Sequence, residues 1–150
     1  MFDRLAVLPQ YLLPKKLVTQ LAGRFASAEL GGVTQAAISR FVAHYGVDMS
    51  EAAEPDITRY ASFNDFFTRA LRAGARPLAD ADYVCPVDGA ISQFGVIERD
   101  QIFQAKGHHY STCALLAGAT ARAAEFEHGQ SATNNLGPKD YHRIHIPCAG

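Results

Sequence analysis

Apolar positions in the first half of the chain recur at helical spacing. Between residues 14 and 28, Leu17, Leu21 and Phe25 follow one another at every fourth position, the period of one helix face, and Pro14 suits a first turn. After Gly31-Gly32, a second stripe with a glycine at its end comprises Ile38, Phe41, Val42, Tyr45 and then Gly46. These patterns predict two amphipathic helices.

A third helix is predicted where Ser62 opens the stretch SFNDFFTRAL, because a Ser-x-x-Asp start can satisfy the free amides of a first turn. Its apolar residues continue to Leu71, and we expect Gly74 and Pro77 to end it. The sequence therefore predicts three helices before residue 80.

From about Tyr83 the pattern changes to short apolar runs divided by turn residues, which is typical of strands. The runs are YVCPVDGAISQFGVI, QIFQAKG and YHRIHIP. Asp88-Gly89 predicts a hairpin turn, and a short helix is expected from Ser111 to Ala117 with Gly118 as its end. The fold class predicted is α+β: a helical section over residues 1–80, then a β-rich and incomplete core over residues 81–150.

Composition narrows the classes of partner. The formal net charge is −1 and 19% of the residues are charged, so no bulk attraction to nucleic acid is expected. Three cysteines without a Cys-x-x-Cys pair favour a reducing compartment. Prolines and charges interrupt the apolar runs at the N-terminus, so neither a cleavable signal nor a spanning helix is predicted there.

Two interpretations of the N-terminal helices stay open at this point. Their apolar faces could pack on a core, or they could lie at a membrane interface. Basic side chains outnumber acidic ones in the first 45 residues, which favours an anionic surface: Arg4, Lys15, Lys16, Arg24 and Arg40 against Asp3 and Glu29.

The candidate chemistry lies in Asp88, His142 and His145. Asp88 could be a simple turn former, and an HxxH pair alone is a weak metal signal even with His108, His109 or Cys148 as further ligands. A cysteine nucleophile, Cys85 or Cys148, is conceivable but not favoured. Asp88 and a histidine could instead form the orienter and the base of a triad, although no serine lies in a Gly-x-Ser-x-Gly elbow.

The chain resembles the N-terminal, β-chain portion of bacterial phosphatidylserine decarboxylase proenzymes. The resemblance rests on FFTRALRAGARP, PVDGAIS and DYHRIHIPC, in that order, with Asp88 placed 57 positions before His145. LPQYLLPKKLVTQLAGRFASAEL and IFQAKGHHYS extend it over nearly the whole chain.

The resemblance implies a pyruvoyl group, formed when a serine in a downstream Leu-Gly-Ser-Thr segment cleaves its own chain. It further implies that Asp88 and His145 activate that serine, and that His142 handles protons while phosphatidylserine loses carbon dioxide. The implied partners are phosphatidylserine, an anionic membrane surface and the α-chain of the processed enzyme, with a homodimer left open. The implied location is the cytoplasmic side of the cell membrane, where the protein is peripheral.

The sequence departs from the family pattern in two places. It contains no Leu-Gly-Ser-Thr segment, so the 150-residue chain is expected to be a truncated form without activity on its own. The stretch SATNNLGPKD has poor strand residues where the family has a β-rich run, which predicts a weakened strand. Two alternatives are a phosphocarrier-like or lipoyl-like β module and a membrane-binding remnant without chemistry.

Overall fold

A computed structural model of the chain describes residues 14–98, 100–105 and 108–148, without the side chains of residues 101, 103–105, 108 and 109. Its contacts divide the chain into two compact units, Met1–Pro77 and Leu78–Gly150. Helices come first and antiparallel strands follow, so the predicted α+β class is confirmed.

The first unit contains the predicted helices. Helix α1 spans Lys15–Ser27, α2 spans Gly32–Tyr45 and α3 spans Phe63–Phe67, while single 3-10 turns occupy Met49–Glu51 and Ile57–Arg59. Gly46 ends α2 with φ 64°, a left-handed conformation that glycine adopts without steric cost. The first two helices and this stop were therefore predicted correctly.

The core of the first unit is aromatic and lies between α2 and α3. Ile38 and Phe66 are completely buried, and the ring of Phe41 lies 5.2–6.0 Å from those of Phe63, Phe66 and Phe67. Arg69 is buried with its guanidinium 5.4 Å from the Phe66 ring centroid, and burial lowers the pKa of Arg69.

Helix α3 begins as predicted but is shorter than predicted. The Ser62 hydroxyl accepts a hydrogen bond from the Asp65 amide at 3.1 Å, which confirms the cap. The helix ends at Phe67 because the following residues pair with the 3-10 turn: the Ala53 amide donates to Ala70, and the Arg72 amide donates to Glu51, both at 2.9 Å. Tertiary pairing thus replaces the last predicted turn of helix.

The second unit contains short strands and shorter helices. Strand β1 pairs antiparallel with β4, and β2 pairs antiparallel with β3. In chain order the elements are β1 (Ala90–Val96), β2 (Gln101–Ala105), β3 (His108–Ser111), α4 (Thr112–Leu115), α5 (Thr120–Ala124) and β4 (Gln130–Asn135). The Ser111 hydroxyl caps α4 and Gly118 has φ 87°, so the short helix there is confirmed, although it ends at Leu115.

The hairpin predicted at Asp88-Gly89 was wrong. Asp88-Gly89 does not join neighbouring strands of a hairpin, because β1 takes its partner from residues 130–135, far along the chain. The stretch SATNN, expected to be a weakened strand, forms part of Gln130–Asn135, which pairs with β1 with an irregular register between Ile91 and Gln93. Backbone pairing with β1 outweighs the low strand propensity of its asparagines.

Few side chains are buried within the second unit. Among the described residues, the buried apolar ones are Ile97, Ala123 and Tyr141. Large apolar side chains remain exposed: Leu78, Tyr83, Ile91, Phe94, Val96, Tyr110, Leu115, Phe126, Ile144 and Ile146. The β-rich unit therefore has more apolar surface than it covers.

Candidate active site

Two segments that are distant in sequence are hydrogen-bonded to each other in the second unit. The Val84 amide donates to the Pro147 carbonyl at 2.8 Å, and the His145 amide donates to the Pro86 carbonyl at 2.9 Å. Both bonds follow one antiparallel register. The structure thus joins the segment that leads into Asp88 to the segment that contains His145.

Asp88 follows Pro86 by two residues and is half-buried, whereas His145 is exposed. His145 lies across from Pro86, and Asp88 follows two residues later in a bend of the chain.

His145 has a second contact, which the sequence did not predict. Its Nε2 lies 3.0 Å from the hydroxyl oxygen of Tyr141, and the two rings are stacked with an interplanar angle of 20° and centroids 5.6 Å apart. Tyr141 is only 7% exposed, so it is one of the few buried side chains described in this unit. The signal available in the sequence was an aromatic residue four positions before the histidine.

His142 faces a different partner. Its Nε2 lies 3.0 Å from the carbonyl oxygen of Gly137, which accepts but cannot donate, so Nε2 carries a proton and Nδ1 is the nitrogen that can gain or lose one. A turn precedes it, in which the Asp140 amide donates to the Gly137 carbonyl and the Gly137 amide donates to Asp140 Oδ2 at 2.6 Å. The turn presents His142 and His145 to separate partners.

The cysteines and the potential metal ligands were the other candidates for chemistry. The Cys85 thiol donates to the Val87 carbonyl at 3.1 Å, and Cys85, Cys113 and Cys148 are free thiols. Within the part of the chain that the structure describes, no group of three potential metal ligands occurs. The side chains of His108 and His109 lie outside that part.

Helix α1 carries a separate candidate surface. Leu17, Val18, Leu21 and Phe25 are each 45–54% exposed, and no residue of the helix is buried. Lys15, Lys16 and Arg24 are its charged residues, so it has no acidic side chain. No described helix has the length and apolarity needed to cross a bilayer, and Asp3 and Arg4 lie outside the described residues.

Comparison with known proteins gives concordant matches. Residues 63–150 match the family model described as phosphatidylserine decarboxylase, and residues 5–46 match a model described as PSD. The whole chain is 69% identical to the phosphatidylserine decarboxylase proenzyme of Acidovorax ebreus and 68% identical to those of Azoarcus sp. and Methylibium petroleiphilum. It covers 53%, 52% and 53% of those relatives, so it spans about half their length.

Proposed function

Because the chain belongs to the phosphatidylserine decarboxylase family, we propose that it supplies the base and the orienting carboxylate of a pyruvoyl-dependent carboxy-lyase. The reaction proposed is conversion of phosphatidylserine to phosphatidylethanolamine and carbon dioxide. The observation that carries the assignment to residues is the pairing of the segment before Asp88 with the segment of His145.

In the proposed role, His145 accepts the proton of an incoming serine hydroxyl through Nε2. Asp88 would hold the imidazole by accepting a hydrogen bond from Nδ1, as the carboxylate does in a serine-histidine-aspartate triad. Exposure of His145 supports this role, because a hydroxyl from another segment can reach the ring. The serine itself belongs to a segment that this sequence does not contain.

The pyruvoyl group implied by the family would arise from that serine and would supply an electron sink for decarboxylation. The residues of this chain suit such a group, because the imidazoles of His142 and His145 and the carboxylate of Asp88 can move protons beside it. His142 would hold a proton at Nδ1 and deliver it to the substrate carbon after carbon dioxide leaves. Its half-buried position against the Gly137 carbonyl would fix the direction of that transfer.

The proposed setting is the cytoplasmic face of the cell membrane, with the α-chain of the processed enzyme as partner. The exposed apolar stripe of α1 and its cationic charge support binding to an anionic bilayer surface. A lipid substrate makes such binding useful, because it keeps the enzyme at the surface where phosphatidylserine lies.

The phosphocarrier-like or lipoyl-like alternative is not favoured. Such a module would not require the helical section, whereas the matches to decarboxylase proenzymes extend over all 150 residues. A membrane-binding remnant without chemistry would keep the α1 surface but would not require the contacts of His142 and His145.

Substitutions in a proenzyme that contains this chain distinguish the proposed roles of the two histidines. We expect His145→Ala to abolish self-cleavage, because the serine loses its base, and His142→Ala to be cleaved normally but to release carbon dioxide at least about a hundredfold more slowly. Gel mobility reports cleavage, and radiolabelled carbon dioxide reports turnover.

His44→Ala is the matched control, since His44 is an exposed histidine of α2 in the other unit. It should change neither quantity. Normal cleavage of the His145→Ala proenzyme would refute the proposed base, and blocked cleavage of the His142→Ala proenzyme would refute the division of roles.

A further inference from the structure

Tyr141 is more deeply buried than the histidine it contacts. Its side chain is buried while His145 is exposed, and its ring stacks on the imidazole. A buried phenol beside an exposed imidazole can determine which way that imidazole faces. The hydrogen bond between the Tyr141 hydroxyl and Nε2, at 3.0 Å, adds a chemical constraint to this steric one.

The hydrogen bond also selects a tautomer. A neutral imidazole carries one proton, so Nε2 either donates to the phenol oxygen or accepts from it. If Nε2 donated, the phenol hydrogen would need a second acceptor, and among the described residues His145 is the one partner of this hydroxyl. Leaving a donor without a partner in a buried residue costs more than leaving an oxygen lone pair unused. The phenol therefore donates, and the proton of the neutral imidazole lies on Nδ1.

We propose that Tyr141 is a positioning residue that keeps His145 in the tautomer with a proton on Nδ1 and none on Nε2. This inference rests on the proposed function, in which Nε2 is the atom that takes the serine proton. The Tyr141 hydroxyl holds the place of the serine hydroxyl until the serine arrives, and one O–H donor then replaces the other. The serine proton passes to Nε2, and Tyr141 keeps its own proton throughout.

The tautomer is measured directly on the 150-residue chain by two-dimensional ¹⁵N–¹H NMR at a pH where His145 is neutral. We expect Nδ1 of His145 to show the shift of a protonated ring nitrogen and Nε2 that of an unprotonated one. In Tyr141→Phe, which keeps the ring and the stacking, the Nε2-protonated form should gain population. Nε2 protonation in the parent chain would overturn the proposal without reference to any variant.

Tyr110→Phe is the matched control, because Tyr110 is a half-exposed tyrosine of β3 in the same unit. It should leave the His145 shifts unchanged. An unchanged amide spectrum outside the site establishes that Tyr141→Phe is folded, and unchanged His145 tautomers in such a folded variant would refute the role of the hydroxyl.

A second measurement separates this inference from the proposed function. In a proenzyme that contains the chain, Tyr141→Phe should slow self-cleavage by roughly three- to tenfold, because a smaller fraction of His145 then meets the serine with Nε2 unprotonated. Normal cleavage by His145→Ala would defeat the proposed function. Blocked cleavage by His145→Ala together with unchanged or faster cleavage by Tyr141→Phe would defeat only the positioning role.

Discussion

At the scale of single residues, Gly89 shows how closely two backbones approach beside the site. A Cβ atom at this position would lie 2.6 Å from the carbonyl oxygen of Asn135, closer than real Cβ atoms come to backbone oxygen. Gly89→Ala should therefore force β1 and β4 apart and lower the free energy of unfolding of the second unit by about 1–3 kcal/mol. Urea denaturation followed by circular dichroism measures this loss.

The control for that substitution is Gly23→Ala, which adds the same methyl group in the interior of α1. No atom lies within 4 Å of the added Cβ there, and alanine favours a helix over glycine by about 0.5–1 kcal/mol. The two substitutions should thus have opposite signs. A Gly89→Ala protein as stable as the parent would show that the close approach is relieved at no cost.

Residues whose role depends on near neighbours were predictable from the sequence. Ser62 caps a helix through the amide three positions on, and Gly46 ends one through its own backbone angle. Tyr141 was missed, and the hairpin at Asp88-Gly89 was wrong, because burial and strand partners are set by segments far along the chain. Local motifs therefore indicated local structure, whereas contacts between distant segments could not be predicted from them.

At the scale of elements, helix α3 depends strongly on its cap because it has only five residues. Ser62→Ala removes the acceptor for the Asp65 amide and should lower the free energy of unfolding of the first unit by about 1 kcal/mol. Thermal unfolding monitored by circular dichroism is the measurement. Loss of the cap should also loosen the Phe63–Phe67 segment that carries the aromatic core.

Ser39→Ala serves as the matched control, because Ser39 is an exposed residue in the middle of α2. Alanine is the better helix former, so this change should be neutral or slightly stabilising. Equal destabilisation by both substitutions would contradict the capping role of Ser62.

Helix α1 is the element for which we predict membrane binding. Replacing Leu21 and Phe25 together with serine removes half-exposed apolar side chains from the stripe without touching a buried residue. We expect the double variant to lose most of its flotation with vesicles of phosphatidylglycerol, because apolar insertion and charge act together there.

The control for flotation is Phe94→Ser, which removes an exposed apolar ring from β1 in the other unit. It should float as the parent chain does. Equal flotation of the Leu21/Phe25 variant and the parent would show that α1 does not bind the bilayer.

Element boundaries were harder to predict than element types. The apolar stripe of SFNDFFTRAL continues past Phe67, yet Ala70 and Arg72 bond to Ala53 and Glu51 in place of the next helical turn. Strand β4 forms although asparagine is a poor strand residue, since β1 supplies its backbone partners. In both cases the deciding partner lies in another segment, where periodicity gives no information.

At the scale of the whole molecule, the two units differ in how they bury apolar side chains. The first encloses Ile38, Val47, Tyr60 and Phe66 in one core, whereas the second leaves Ile144 and Ile146 at least 75% exposed. The chain also spans about half the length of the relatives it matches. Exposed apolar side chains of this kind favour association with further polypeptide.

We expect the purified 150-residue chain to release no carbon dioxide from phosphatidylserine, because its sequence lacks the Leu-Gly-Ser-Thr segment that the proposed self-cleavage requires. Vesicles with carboxyl-labelled phosphatidylserine measure the release, and a processed full-length relative is the positive control. Release above the level of protein-free vesicles would contradict the requirement for that segment.

The prolines beside the site determine how firmly His145 is anchored. An antiparallel pair normally exchanges two hydrogen bonds, but Pro86 and Pro147 have no amide hydrogen, so each pair keeps only one. The backbone of the His145 segment is therefore held to residues 84–86 by one hydrogen bond per pair, whereas β1 and β4 are joined along a ladder. Local opening of this segment, far cheaper than global unfolding, would let the backbone of His145 adjust as another segment docks.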